Sequence, residues 1–214
     1  TGVCGGRGGS QHIHWKNLYS NGVQGGIVPI ATGMALAEKQ KHSDAAVVVF
    51  IGDGTLGEGV IYEAFNMASL WSAPLLIVVE NNHIAQTTRT EHVLAGDIRQ
   101  RFMAFGIPAL EIDTSDVMEI ASTTFHLMRE VHEEISPRAL ILNTQRFGPH
   151  SKGDDTRPES EVALLKKQRD PIFIMERMLD PDHIERIHSE VEAEVKEAFE
   201  AALADPPARL EGQA

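Results

Sequence analysis

Apolar positions along this chain alternate between two rhythms. Residues 45–51 (AAVVVFI) form an unbroken run that stops at Gly52, and residues 74–80 (PLLIVVE) form a second that stops at Asn81. Runs apolar on both faces predict central strands of a parallel sheet. Between them, Ile61, Phe65 and Ala68, with Val60, Ala64 and Trp71, recur at helical spacing over residues 58–71. The segment therefore predicts strand, helix, strand, one right-handed crossover unit. Upstream, Pro29, Ile30, Ala35 and Leu36 predict a helix over residues 28–39, lined with small residues and packed closely on the sheet, with Pro29 in its first turn. Downstream, residues 109–112 predict a short strand, 117–132 a helix and 138–143 another apolar strand. The expected class is α/β, a parallel sheet flanked by helices on both faces.

Beyond Arg146 the rhythm is lost. Residues 147–160 (FGPHSKGDDTRPES) are rich in Gly, Pro and charge, which predicts a long loop of the kind that often carries function. After it, residues 181–203, with Glu190, Glu192, Glu194 and Lys196, predict exposed amphipathic packing helices. The expected organisation is an α/β domain over residues 1–150, to which residues 151–214 add the rest of the loop and the C-terminal helices. No internal repeat is visible.

Composition narrows the partners. With 214 residues and 42% apolar content the chain can build one sizeable core. Nineteen Lys and Arg against 31 Asp and Glu give a net charge of −12, which argues against a nucleic-acid backbone or an anionic membrane as partner. Any anionic ligand needs local help. A single cysteine, Cys4, cannot form an intrachain disulfide. No stretch approaches the roughly 18 apolar residues of a membrane helix, so a reducing, cytoplasm-like compartment is the expectation. The start at Thr1 within a glycine-rich run reads as a fragment whose N-terminal part is absent.

Candidate chemistry gathers at the strand ends, where ligands of open parallel sheets bind. Gly52-Asp53-Gly54 ends one apolar run and Asn81-Asn82 ends the next, with the 26 residues from Thr55 to Glu80 between them. That separation fits a loop, a helix and a returning strand, so Asp53 and Asn81 should meet across neighbouring tips. Both offer hard oxygens of the kind magnesium combines with phosphates. Gly54 and Gly57 leave room for backbone approach, and the amides opening the helix near Glu58 should face an anion with their positive dipole end. Each half alone is also an ordinary turn. The sequence Gly52-Asp53-Gly54-Thr55-Leu56-Gly57 does not supply a dinucleotide fingerprint, because Asp53 occupies the tight-turn site.

The conjunction of GDG and NN on consecutive strands resembles the thiamine diphosphate enzymes. The likeness extends to the alpha subunit of the first component of 2-oxo acid dehydrogenases of the pyruvate, branched-chain and acetoin type. It is carried by residues 5–12 (GGRGGSQH), 21–36 (NGVQGGIVPIATGMAL), 52–71 (GDGTLGEGVIYEAFNMASLW), 79–88 (VENNHIAQTT) and 144–151 (TQRFGPHS). The resemblance implies the thiamine-diphosphate-binding fold. It implies that Asp53, Asn81 and the backbone carbonyl of His83 ligand magnesium, and that Gly54 and Thr55 touch the diphosphate. It further implies that Gly22 and Gln24 contact the aminopyrimidine, that Arg146 pairs with diphosphate oxygens, and that His150 is the catalytic histidine of the active-site loop.

Ser151 matches a position phosphorylated in mitochondrial pyruvate dehydrogenases, and an ordinary loop serine is the other reading. His12 and His14, beside the glycine-rich start, are open between active-site and surface roles. Glu58 and Glu63 read as surface or interface residues. In the order Arg146-Phe147-Gly148-Pro149-His150 the chain departs from relatives that carry another histidine there, and Pro149 should stiffen the entrance.

Two-subunit relatives take the activating glutamate from a beta subunit, so a beta subunit, or a fused second half, is an expected partner, with a lipoyl acyltransferase as the acceptor of the acyl group. The expected reaction is decarboxylation of a 2-oxo acid with acyl transfer to lipoamide. Alternatives are half of a split transketolase-like or carboligase enzyme using the same cofactor, and a module that kept the fold without catalysis.

Overall fold

A computed structural model describes residues 11–151, 153 and 155–206. Cys4 and the glycine-rich start lie outside the described residues. In chain order the elements are β1 (His14–Trp15), β2 (Leu18–Tyr19), α1 (Gln24–Gln40), β3 (Val47–Gly52), α2 (Gly59–Leu70), β4 (Leu75–Asn81), β5 (Ile84–Ala85), β6 (Thr88–Arg89), α3 (Ile98–Met103), β7 (Ala109–Ile112), α4 (Val117–Glu134), β8 (Arg138–Asn143), α5 (Glu159–Arg169), α6 (Pro171–Glu176) and α7 (Pro181–Ala204). A 3-10 turn, Asp53–Gly57, joins β3 to α2.

The chain divides into two compact units. Val23–Met175 holds the sheet, and Thr1–Gly22 with Glu176–Ala214 makes the other unit. In the first, the order β3-β4-β8-β7 is parallel throughout. β4 and β8 are central, which is why their first five residues are all buried.

Two cores sandwich the sheet. On one face Val28, Ala31 and Ala35 of α1, Ile61, Phe65 and Ala68 of α2 and Phe102 of α3 pack on Val49, Ile51, Leu75, Ile77, Val79 and Ile141. On the other, Leu127 and Val131 of α4 cover Leu76, Val78, Leu140 and Leu142. The crossovers through α2 and α3 thus run over one face and the crossover through α4 over the other. A reversal of this kind opens a crevice beyond the carboxyl ends of the strands.

Two expectations are corrected. The run at residues 45–51 predicts a central strand, yet β3 ends the described sheet. α1 covers Val49 and Ile51, while Val48 and Phe50 on the opposite face are 38% and 61% exposed. Pro29 lies inside α1 rather than in its first turn, because the helix begins at Gln24. Its missing N–H leaves the carbonyl of Gly25 without the usual helical donor. Among the described residues no helix is long and apolar enough to cross a membrane.

Candidate active site at the carboxyl ends of the strands

Gly52 of β3 is the register partner of Glu80 of β4, so Asp53 and Asn81 stand side by side just beyond that pair. Both are buried, at 2% and 4% exposure. Polar groups so deeply placed are costly unless paired. The Thr90 hydroxyl donates to Oδ2 of Asp53. The Thr90 amide donates to the His83 carbonyl at 3.0 Å, and the His83 amide donates to Oδ1 of Asn81 at 3.3 Å. One hydrogen-bonded chain therefore links Asp53, Thr90, His83 and Asn81. His83 sits at φ 63°, in the left-handed region, where the backbone turns into the β5–β6 hairpin.

The 3-10 turn after Asp53 is pinned from two sides. Oε1 of Gln24, the first residue of α1, accepts from the Gly52 amide at 3.3 Å and from the Thr55 hydroxyl. Gly54 packs against β5 so closely that a Cβ there would lie 2.8 Å from Cβ of Ala85. The helix opens where expected: Glu58 is the N-cap, α2 starts at Gly59, and the 3-10 turn Asp53–Gly57 leads into it. Glu58, expected at a surface or interface, accepts from the Gly25 amide at 3.0 Å and ties α2 to α1.

Arg146 follows β8. Its Nη1 donates to the Gln86 carbonyl at 2.7 Å, and its Nε is buried without a hydrogen-bond partner among the described residues. Arg157 braces the loop, donating through Nη1 to the Arg146 carbonyl at 2.8 Å and through Nη2 to that of Gly148 at 3.4 Å. The Arg157 guanidinium pairs with Asp155 at 2.7 Å, and this hydrogen bonding, aided by the Arg157 amide, lowers the carboxyl pKa to about 2. A cavity of about 480 Å³ is lined by Asn82, His83, Thr90, Arg146 and Arg157 among others.

The structure thus brings Asp53, Gly54, Thr55, Asn81, His83 and Gln24 together through bonds and contacts, with Arg146 and His83 on one cavity. His150 is exposed and not among the cavity walls; its Nδ1 lies 3.0 Å from Oγ of Ser151. Gly22 belongs to the other unit, beside the Gln11 side chain. There too His14 stacks on Tyr19 with ring centroids 4.5 Å apart and reaches the Lys16 carbonyl at 3.1 Å.

Sequence reading missed Thr90, Arg157 and Asn143. Asn143 ends an apolar run as Asn81 does, a signal that could have found it. Thr90 and Arg157 follow no such pattern.

The donor set of one carboxylate, one carboxamide oxygen and a backbone carbonyl suits a hard divalent cation. The buried, unpaired Nε of Arg146 suits an anion beside it. The residues therefore fit a magnesium diphosphate.

Residues 1–211 match the family described as dehydrogenase E1 component. The chain is 34% identical to the human mitochondrial pyruvate dehydrogenase E1 component subunit alpha, testis-specific form, over 98% of this chain and 56% of that protein. It is 32% identical to pyruvate dehydrogenase E1 component subunit alpha of Zymomonas mobilis, over 96% of this chain and 61% of that one. The chain therefore spans little more than half the length of these relatives. The transketolase of Campylobacter jejuni superposes with a TM-score of 0.51 at 24% identity, covering 59% of this chain and 21% of that one, a likeness of fold. By the match along nearly its whole length, the chain belongs to the dehydrogenase E1 component family.

Proposed function

We propose that this chain is part of the alpha subunit of a thiamine-diphosphate-dependent 2-oxo acid dehydrogenase, working in a reducing, cytoplasm-like compartment. The observation that carries the reading is the buried pair Asp53 and Asn81 on adjacent strand tips, joined through Thr90 and His83.

Asp53, Asn81 and the His83 carbonyl would hold magnesium. Gly54 and Thr55 would meet the diphosphate, with Arg146 supplying a guanidinium whose Nε has no partner within the chain's described residues. Gly22 and Gln24 would meet the aminopyrimidine. When bound, the cofactor supplies the electron sink for decarboxylation. The chain's own residues would hold the metal and diphosphate, and His150, on the loop that Arg157 braces, would move a proton or assist acyl transfer to a lipoyl group. A beta subunit, or a fused second half, would contribute the activating carboxylate, and a lipoyl acyltransferase would take the acyl group.

Calorimetric titration of thiamine diphosphate into the chain with its partner should give magnesium-dependent binding, weakened about tenfold or more by Arg146→Met. Absence of binding by the unaltered protein would overturn the reading. Oxidation of 2-oxo acids with ferricyanide as acceptor should then follow, whereas two-carbon transfer to an aldehyde without that oxidation would point to a carboligase.

A further inference from the structure

The two ends of an asparagine carboxamide are nearly the same size, but only the oxygen can ligand a cation. Which end Asn81 turns toward Asp53 is decided by hydrogen bonding. Asn81 and Asn143 are register partners at the tips of β4 and β8. Nδ2 of Asn81 donates to Oδ1 of Asn143 at 2.8 Å. Nδ2 of Asn143 donates in turn to Oε1 of Glu111, on β7, also at 2.8 Å.

An ionised carboxylate only accepts, so Glu111 sets the polarity of the whole relay. It draws the NH₂ of Asn143 toward itself, which turns the Asn143 oxygen toward Asn81. Asn81 must then present its own NH₂ to Asn143. Its oxygen is left on the side where the His83 amide donates to it at 3.3 Å. Flipping either amide alone sets oxygen against oxygen, or NH₂ against NH₂. Asn143 is itself held in place, since its carbonyl accepts from Nη2 of Arg169 at 3.0 Å, and that guanidinium also bonds Asp113 and Ser115. Asn81, only 4% exposed, has little access to water that could replace the relay.

We propose that Glu111 and Asn143 are positioning residues that keep the Asn81 carboxamide oxygen-first toward the divalent cation, an extension that rests on the cofactor reading above. Neither touches the reacting atoms. They act through Asn81, as outer partners of metal ligands commonly do.

The test is Mn²⁺ binding, read by electron paramagnetic resonance on the full chain with its partner and saturating thiamine diphosphate. If the unaltered protein binds no Mn²⁺, the cofactor reading falls, and this proposal with it. Given that binding, Asn143→Leu should weaken Mn²⁺ about tenfold, and Glu111→Gln, whose amide can face either way, about threefold. The pair Asn143→Asp with Glu111→Gln keeps the net charge and restores an acceptor for the Asn81 NH₂. It should recover wild-type affinity or better. Wild-type affinity in Asn143→Leu, or a double variant as weak as that single one, would overturn the proposal. Should Asn143→Leu fail to fold, Glu111→Gln at an exposed position carries the same comparison: no weakening there, or no recovery in the double variant, overturns it.

Discussion

Thr90 donates its hydroxyl to the buried carboxylate of Asp53 across 37 residues of sequence, and its amide to the carbonyl of His83. A single residue thus fixes two of the three groups that would hold the cation. Thr90→Val keeps the shape and the amide but removes the hydroxyl. Mn²⁺ affinity should fall about tenfold while the fold is retained, and Asp53→Ala should lose metal-dependent cofactor binding altogether. Unchanged affinity in Thr90→Val would show that the carboxylate needs no such orientation.

His83 contributes a backbone oxygen in this scheme, from a residue at φ 63°. Glycine adopts that conformation freely, whereas a side chain there costs roughly 1 kcal/mol. His83→Gly should therefore hold metal affinity within about twofold and leave stability unchanged or slightly raised. Thermal melting together with a metal titration checks both. Loss of binding would assign the role to the imidazole instead.

Gly54 is where the 3-10 turn meets β5, and a Cβ there would stand 2.8 Å from Cβ of Ala85. Gly54→Ala should destabilise by about 1–3 kcal/mol and displace the turn that carries Asp53. Adding Ala85→Gly should return most of the stability and the cofactor affinity. A double variant no better than the single one would locate the problem elsewhere.

The Asp155–Arg157 pair braces the loop through the Arg146 and Gly148 carbonyls. The Asp155 carboxyl titrates at about 2 rather than its ordinary 3.8. A depressed carboxyl stabilises above its ordinary value and loses that contribution as pH falls toward the folded value. The brace should thus hold unchanged from neutrality down to about pH 4 and weaken only between there and pH 2. Limited proteolysis should find Asp155→Asn cut faster than the parent within residues 147–158 at neutral pH. Equal cutting rates would remove the pair from loop ordering.

Much of this architecture is legible in the residue pattern, because burial on both faces leaves no room for polar alternation. β7 and β8 fall on the predicted spans, and α2, α4 and α7 lie within a residue or two of theirs. Asp53 and Asn81 are legible for a related reason: each breaks an apolar run at a strand end, where only function or a turn justifies a polar side chain. What escaped detection depends on contacts distant in sequence. Thr90 opens a short 3-10 turn just after the β5–β6 hairpin, where no periodicity can be read, and Glu58 is recognisable as a tie to α1 only once Gly25 is beside it. Arg157 was hidden in a charged loop whose composition gives no spacing to read. β3 was misjudged because an apolar run reports what its faces could bury, not whether another layer arrives to cover them.

That uncovered layer has a practical side. Among the described residues no strand pairs with the outer edge of β3, and Val48 and Phe50 stand exposed on its uncovered face. Open backbone donors and acceptors beside greasy side chains invite edge-to-edge sticking between copies. The surplus of acidic groups, a net −12, opposes such sticking at low ionic strength. Added salt screens that repulsion and leaves the apolar attraction intact. The chain purified by itself should therefore cloud as salt rises and stay clear in dilute buffer, the reverse of the behaviour of proteins that salt dissolves.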